Sequence, residues 1–144
     1  MMKIGVSACL LGHNVRYDAT NKKNNELIEI LKDVDIISIC PEVLGGLSVP
    51  HFPCEIKDNV INNSQNEDMT SFFVRGSNLA YNMIKDCDFL ILKTKSPSCG
   101  YQKIYDGSFS GKLIDGNGLF AKLCIENNIR IYTENDIEQI RNIG

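Results

Sequence analysis

Residues 36–40 have the sequence Ile36-Ile37-Ser38-Ile39-Cys40, a short apolar run that ends at Pro41. An isoleucine-rich run of this length, bounded by a proline, is typical of a strand buried in a parallel sheet. The preceding residues 24–34 predict a helix, because they place an apolar stripe at helical spacing: Leu27, Ile28, Leu31 and Val34. A helix that leads into a buried strand is the repeating unit of α/β folds.

The same alternation extends outward from this unit. Further strands are predicted over residues 3–7, 89–93 and 129–132, and further helices over residues 68–86, 118–127 and 134–142. The inner face of the long helix is predicted to consist of Phe72, Phe73, Leu79, Ala80, Met83 and Ile84. Residues 45–66 and 101–118 predict loops, the first with room for a hairpin. The pattern predicts an α/β fold, a Rossmann-like three-layer α/β/α domain with a mainly parallel sheet.

Composition narrows the class of protein. The 144 residues, 43% of them hydrophobic, predict one globular domain over residues 1–144. A net charge of −3 gives no sign of the basic face that grips a nucleic-acid backbone. We expect a cytoplasmic protein without a membrane partner, because no secretory signal or stretch of about 20 apolar residues is found. The oligomeric state is left open.

Six cysteines need an explanation, since disulfides are rare in the cytoplasm. Cys87 and Cys124 lie among apolar residues near the ends of helical patterns, and we interpret both as small buried hydrophobes. The remaining four stand in predicted loops or at a strand end, near glycine or proline: Cys9, Cys40, Cys54 and Cys99. A packing role is less natural there.

Three of these cysteines follow the ends of predicted strands. Because the carboxyl ends of parallel strands share one edge of a sheet, Cys9, Cys40 and Cys99 are expected to face one crevice. Three thiolates favour a soft metal, namely zinc, copper(I) or an iron–sulfur cluster. The C-x-x-C pair of structural zinc sites is absent from the sequence. Chance packing stays open as an alternative, and Cys54 is either a fourth ligand or a redox-active spare.

Polar neighbours of these cysteines favour chemistry over structure. Glu42 stands two residues after Cys40, and Ser96 and Ser98 precede Cys99. A carboxylate and hydroxyls beside a metal can transfer protons and orient a substrate. The plainer interpretations are a solvated charge or a helix N-terminal charge for Glu42, and an ordinary turn residue for Ser96. The two histidines of the chain, at positions 13 and 51, are interpreted as surface residues.

Four groups of motifs together resemble a known family. They are Val6–Gly12 with Val15–Asp18, Cys40–Leu47, Ser96–Gly100 with Ile104–Gly107 and Phe109–Gly111, and Gly116–Gly118. In this order they are similar to the TudS-like thiouracil desulfidases, and the resemblance covers essentially the whole chain. It implies a 4Fe–4S cluster held by Cys9, Cys40 and Cys99, with a fourth iron free to take the sulfur of a thiolated uracil.

The resemblance also implies an activity and a substrate class. Thiouracil would be converted to uracil and sulfide without net redox change, with catalytic roles for Glu42 and Ser96. The expected partner is a small-molecule thiolated pyrimidine, and a thiolated nucleoside in RNA is the alternative substrate. A non-enzymatic iron–sulfur redox sensor or carrier is the alternative function, and a zinc-binding structural domain comes third.

Overall fold

A computed structural model describes residues 2–143 of the chain. Its strands and α-helices follow in the order β1 (Lys3–Ser7), α1 (Asn25–Ile30), β2 (Asp35–Ile39), α2 (Pro41–Leu44), β3 (Cys54–Lys57), β4 (Val60–Asn63), α3 (Thr70–Ile84), β5 (Phe89–Leu92), β6 (Lys103–Tyr105), β7 (Leu113–Asp115), α4 (Leu119–Glu126), β8 (Ile131–Thr133) and α5 (Ile137–Arg141). A 3₁₀ helix, Ala8–Leu11, follows β1 directly. None of these helices is both long and apolar enough to cross a membrane.

The central sheet is parallel, with the strand order β2-β1-β5-β8. In its register Ser7 pairs with Ile39 on one side of β1, and Val6 pairs with Ile91 on the other. Strand β1 therefore lies between β2 and β5, and the three carboxyl ends meet at one edge. The predicted adjacency of these strands is confirmed.

Helices cover both faces of this sheet. In β5, Leu90 and Leu92 pack in a core cluster with Phe120 of α4, whereas Phe89 and Ile91 pack with Leu27 of α1 on the opposite side. Alternate residues of a strand point to opposite faces, so each cluster forms one side of the sheet. The α3 and α4 helices cover the first face, and α1 and α5 cover the second. The predicted Rossmann-like three-layer α/β/α fold is confirmed.

The inner face of α3 is only partly as predicted. Phe73, Ala80 and Ile84 are fully buried, but Leu79 and Met83 are each 44% exposed, so their assignment to the core was wrong. The buried stripe runs instead through Gly76, where a Cβ atom would collide with the backbone carbonyl of Pro41. This close approach packs α2 against α3 and fixes the segment that follows Cys40.

Several element boundaries also differ from the predictions. The first helix ends at Ile30, short of the predicted residue 34. The run 36–40 ends one residue early, because Cys40 is the N-cap of α2, a four-residue helix that was not predicted. The predicted hairpin is the antiparallel pair β3–β4. A second antiparallel pair, β6–β7, lies within residues 101–118, where only a loop was expected.

Candidate active site

The carboxyl edge of the sheet carries a cavity of about 480 Å³. Cys9 reaches it from the 3₁₀ helix after β1, Cys40 from the end of β2, and Cys99 from the loop after β5. All three line its wall, as the strand order requires. Cys54, the first residue of β3, lines the same cavity, so four of the six cysteines gather there. Cys87 and Cys124 lie outside this wall, against the core on the α3–α4 side of the sheet.

Burial keeps these thiols neutral in the protein without metal. Desolvation raises the pKa of Cys9 and of Cys40 to about 11, and raises that of Cys99 well above its ordinary value. Each thiol nevertheless has a polar neighbour that favours its thiolate. These neighbours oppose the effect of desolvation without cancelling it. Lys93 does so for the pKa of Cys9, the amide of Val43 for that of Cys40, and the Ser7 hydroxyl for that of Cys99.

Glu42 is a largely enclosed carboxylate of the cavity wall. It lies in the first turn of α2, and its side chain is only 17% exposed. Its Oε2 atom accepts a hydrogen bond from the Ser98 hydroxyl at 3.1 Å and lies 3.4 Å from the Ser96 hydroxyl. The interpretation of Glu42 as a solvated charge is therefore wrong.

The two serines form a directed chain of hydrogen bonds. Ser96 Oγ accepts from the backbone N–H groups of Ser98 and Cys99, at 3.0 and 3.1 Å. Its hydroxyl lies 2.9 Å from that of Ser98, which in turn donates to Glu42. Each hydroxyl has one hydrogen to donate, so the chain runs from Ser96 through Ser98 to the carboxylate. Ser96 thus shapes the turn that carries Cys99 and also belongs to the polar network.

His51 was misassigned from the sequence. Its side chain is 9% exposed, and its Nε2 atom lies 3.2 Å from Oε1 of Glu42. Its Nδ1 atom lies 2.7 Å from the carbonyl oxygen of Phe52. His13, by contrast, is exposed as expected. No periodic pattern marks a loop histidine that folds back onto a residue nine positions earlier, so the local sequence held no signal for this contact.

A second ion pair involves Lys93, another residue of the cavity wall. Lys93 Nζ lies 2.8 Å from Glu134 Oε2, and both side chains are largely buried. The Thr94 amide and hydroxyl also donate to Glu134, at 3.0 and 2.9 Å. The remaining wall includes the apolar or aromatic residues Val15, Tyr17, Pro41, Pro53 and Tyr105. This mixture of flat apolar surface and a few fixed polar groups is typical of small-molecule sites.

A carboxylate also ties the β6–β7 hairpin to this wall. Glu55 of β3 accepts hydrogen bonds at Oε1 from the amides of Gly107 and Phe109, at 3.0 and 3.1 Å. Gly107 has a φ of +94°, in the left-handed region that favours glycine. The hairpin that the sequence did not predict is therefore fastened at the mouth of the cavity.

Comparison with known proteins agrees with this architecture. A family profile described as 2-thiouracil desulfurase matches residues 4–136. The Bacillus subtilis (strain 168) protein YbbK, described as uncharacterized, is 35% identical over 94% of this chain and 97% of its own. A solved structure described as the 4Fe–4S-dependent thiouracil desulfidase TudS superposes with a TM-score of 0.90. It is also 35% identical, over 97% of this chain and 95% of that one.

These matches span nearly the whole chain, in sequence and in structure alike. They cover the three segments that bring Cys9, Cys40 and Cys99 to the cavity, and the serine turn before Cys99. The resemblance noted in the motifs is confirmed. The chain belongs to the 2-thiouracil desulfurase family.

Proposed function

We propose that this protein is a 4Fe–4S-dependent desulfidase that removes the sulfur of a thiolated uracil. The observation that carries the proposal is one cavity at a sheet edge, walled by three strand-end cysteines and a hydrogen-bonded glutamate. Membership of the 2-thiouracil desulfurase family, and similarity to a structure described as a 4Fe–4S-dependent thiouracil desulfidase, support the same activity.

Cys9, Cys40 and Cys99 are the ligands we assign to the cluster. Within residues 2–143 no three His, Cys, Asp or Glu side chains converge as a single metal ion would require. Each cysteine of an iron–sulfur cluster binds a different iron, so its ligands surround a volume rather than a point. Two buried thiols and one half-buried thiol, distributed around a cavity of about 480 Å³, fit that requirement.

The neighbours of these thiols also fit an iron–sulfur ligand set. Binding requires thiolates, and the raised pKa values mean that protons must leave as the metal arrives. The polar groups that favour the thiolates, such as Lys93 for Cys9 and the Ser7 hydroxyl for Cys99, would offset ligand charge and hydrogen-bond sulfur.

When bound, a cluster with three protein ligands supplies a Lewis-acidic iron that is open to a soft thiocarbonyl sulfur. The protein then has to activate water and deliver a proton to the departing sulfur. Glu42 is the group we assign to this task, because its carboxylate lines the cavity and has an oxygen directed at two hydroxyls. Water gives a proton to Glu42 as its oxygen bonds to the ring carbon, and the C–S bond breaks as sulfur leaves.

Ser96 is assigned to orientation and proton relay. Its hydroxyl oxygen accepts hydrogen bonds from two backbone amides. Its single hydrogen is therefore free to point along the chain toward Ser98 and Glu42. The net reaction adds water to thiouracil and releases uracil and hydrogen sulfide. Carbon and sulfur keep their oxidation states, so no external reductant is consumed.

The decisive experiment follows sulfur release from anaerobically reconstituted protein. Protein loaded with iron and sulfide should convert thiouracil to uracil and sulfide without added reductant. Thiouracil should also perturb the visible spectrum of the loaded protein far more than uracil does. An RNA containing thiouridine is tested in parallel, and faster turnover of that RNA would reassign the substrate. Loaded protein that releases sulfide from neither substrate would favour a redox sensor or carrier.

A further inference from the structure

Both ring nitrogens of His51 face hydrogen-bond acceptors. Nδ1 lies 2.7 Å from the backbone carbonyl oxygen of Phe52, and Nε2 lies 3.2 Å from Oε1 of Glu42. A carbonyl oxygen can only accept, so Nδ1 must carry a hydrogen. In the neutral ring Nε2 would then present a lone pair to the carboxylate. The His51–Glu42 contact is therefore favourable only when a second proton is present.

Within the described part of the chain, Nε2 has no hydrogen-bond partner. This atom is buried, and its approach to Glu42 lacks the alignment of a hydrogen bond, so its contact is an ion pair. Burial lowers the pKa of His51, but the neighbouring Cys54 and Glu42 side chains and the Phe52 carbonyl raise it to about 10 overall. The other titratable neighbour is Tyr17, whose ring centre lies 6.4 Å from that of His51.

We propose that His51 is a positioning residue that holds the Glu42 carboxylate in place and turns its Oε2 atom toward Ser96 and Ser98. The proposal rests on the function assigned above, in which Glu42 accepts a proton. His51 is not among the residues that line the cavity, so it acts through Glu42 and does not touch the substrate.

The two oxygens of Glu42 divide the contacts between them. Oε1 faces the imidazole, and Oε2 lies against both serine hydroxyls and accepts from that of Ser98. A carboxylate fixed at both oxygens cannot rotate away from the reacting water. The geometry thus assigns His51 an orienting task.

Steady-state kinetics of variants reconstituted with iron and sulfide test whether His51 acts through Glu42. His51→Leu should lower kcat by about 10–100-fold, the usual effect of losing a partner that orients a catalytic-site ligand, while KM changes little. His51→Gln should recover part of the loss, because its amide can still donate to Oε1. In a Glu42→Gln background, neither substitution should lower kcat further. The matched control, His13→Gln, alters the exposed histidine and should leave kcat unchanged.

A full rate in His51→Leu would overturn the proposal. So would equal rate losses for the His51 substitutions in the wild-type and Glu42→Gln backgrounds, because a residue that acts through Glu42 has nothing left to act on there. Iron content and thermal unfolding are measured for each variant. If His51→Leu does not fold, the kcat of His51→Gln in the two backgrounds tests the proposal instead.

NMR gives a readout that does not depend on turnover. The chain has only two histidines, so ¹⁵N-histidine labelling yields two ring systems, with exposed His13 as the reference. In the full chain the His51 ring should stay doubly protonated far above the unperturbed value of about 6.5, and Glu42→Gln should shift its titration downward. A neutral His51 ring at neutral pH would refute the pairing. Absence of desulfidase activity with an intact His51–Glu42 pair would instead count against the proposed function.

Discussion

Two regions of this protein bury cysteines, and they differ in what surrounds the sulfur. Cys124 lies in the core between α4 and the sheet, where desolvation alone raises its pKa to about 12. Cys9 is also buried, at the sheet edge, but Lys93 and Arg16 oppose the desolvation, and its pKa rises to about 11. Burial is thus common to both regions, whereas groups that favour a thiolate occur at the sheet edge. Polar neighbours, more than burial, distinguish a candidate ligand from a packing residue.

The largest effect expected from this contrast is on cluster binding. Alanine at Cys9, Cys40 or Cys99 should each abolish stable binding of iron and sulfide after anaerobic reconstitution, because two thiolates hold a cluster poorly. Cys124→Ala is the matched control and should keep the iron content of the wild type. Iron and acid-labile sulfide per chain are the measurement.

Substitution of Cys54 tests the ligand assignment more narrowly. Cys54 lines the same cavity, but it is the first residue of β3, which lies outside the central sheet. Its thiol lies 3.5 Å from the Phe52 carbonyl oxygen, to which it donates. We expect Cys54→Ala to retain the cluster. If Cys54→Ala lost the iron while Cys40→Ala kept it, the ligand set would need Cys54 in place of Cys40.

The next largest effect concerns the base. Glu42→Gln preserves the shape of the side chain but cannot accept a proton, so kcat should fall by about 10²–10⁴-fold, as for lost general acid–base catalysis. Iron content should stay at the wild-type level, because the substitution leaves all three thiols in place. Steady-state sulfide release from loaded protein checks this. Undiminished turnover would remove Glu42 from the mechanism.

Ser96→Ala should have a smaller effect, about fivefold on kcat, in keeping with the loss of one hydrogen bond of ~1 kcal/mol. The substitution also removes the acceptor of the Ser98 and Cys99 amides, so a modest loss of thermal stability should accompany it. Ser98→Ala is the informative comparison, since Ser98 makes the shorter contact with Glu42. If both variants lose stability but neither loses rate, the serines serve only the turn.

The sequence was most informative where the position of a candidate site residue follows from strand order. Apolar runs located β1, β2 and β5, and the carboxyl-edge rule for parallel sheets then brought Cys9 and Cys99 together although they lie far apart in the chain. Contacts between loops could not be derived in this way. The approach of His51 to Glu42 depends on how the segment between Leu44 and Cys54 folds back, and no periodic pattern encodes that path.

Short elements escaped prediction for a related reason. Strands β6 and β7 have three residues each, too few for an alternating pattern to emerge, and all of β7 is exposed. Helix α2 has a single turn and follows a proline that also ends the preceding strand. The predicted inner face of α3 failed at Leu79 because its buried stripe is partly made of small residues, Gly76 and Ser77, that hydrophobicity does not mark.

The smallest expected effect concerns alkaline stability of the cluster-free protein, and it tests the core side of the comparison. Burial raises the pKa of Cys124 from 9.0 to about 12, so the folded state keeps this thiol neutral where the unfolded chain ionises. The free energy of unfolding should therefore fall as the pH rises above about 9, by up to ~1.4 kcal/mol per pH unit for one such group.

Cys124→Ala should flatten this decline, although it lowers stability near neutral pH through the lost packing. Urea unfolding at several alkaline pH values measures the slope, which is insensitive to a constant packing loss. Cys87→Ala is the control, because Cys87 is less buried and its pKa is raised less. Equal slopes in wild type and Cys124→Ala would mean that Cys124 ionises as readily in the folded protein as in the unfolded chain. The contrast would then lose its basis, because it compares a core thiol whose pKa is raised by burial alone with an edge thiol whose polar neighbours favour the thiolate.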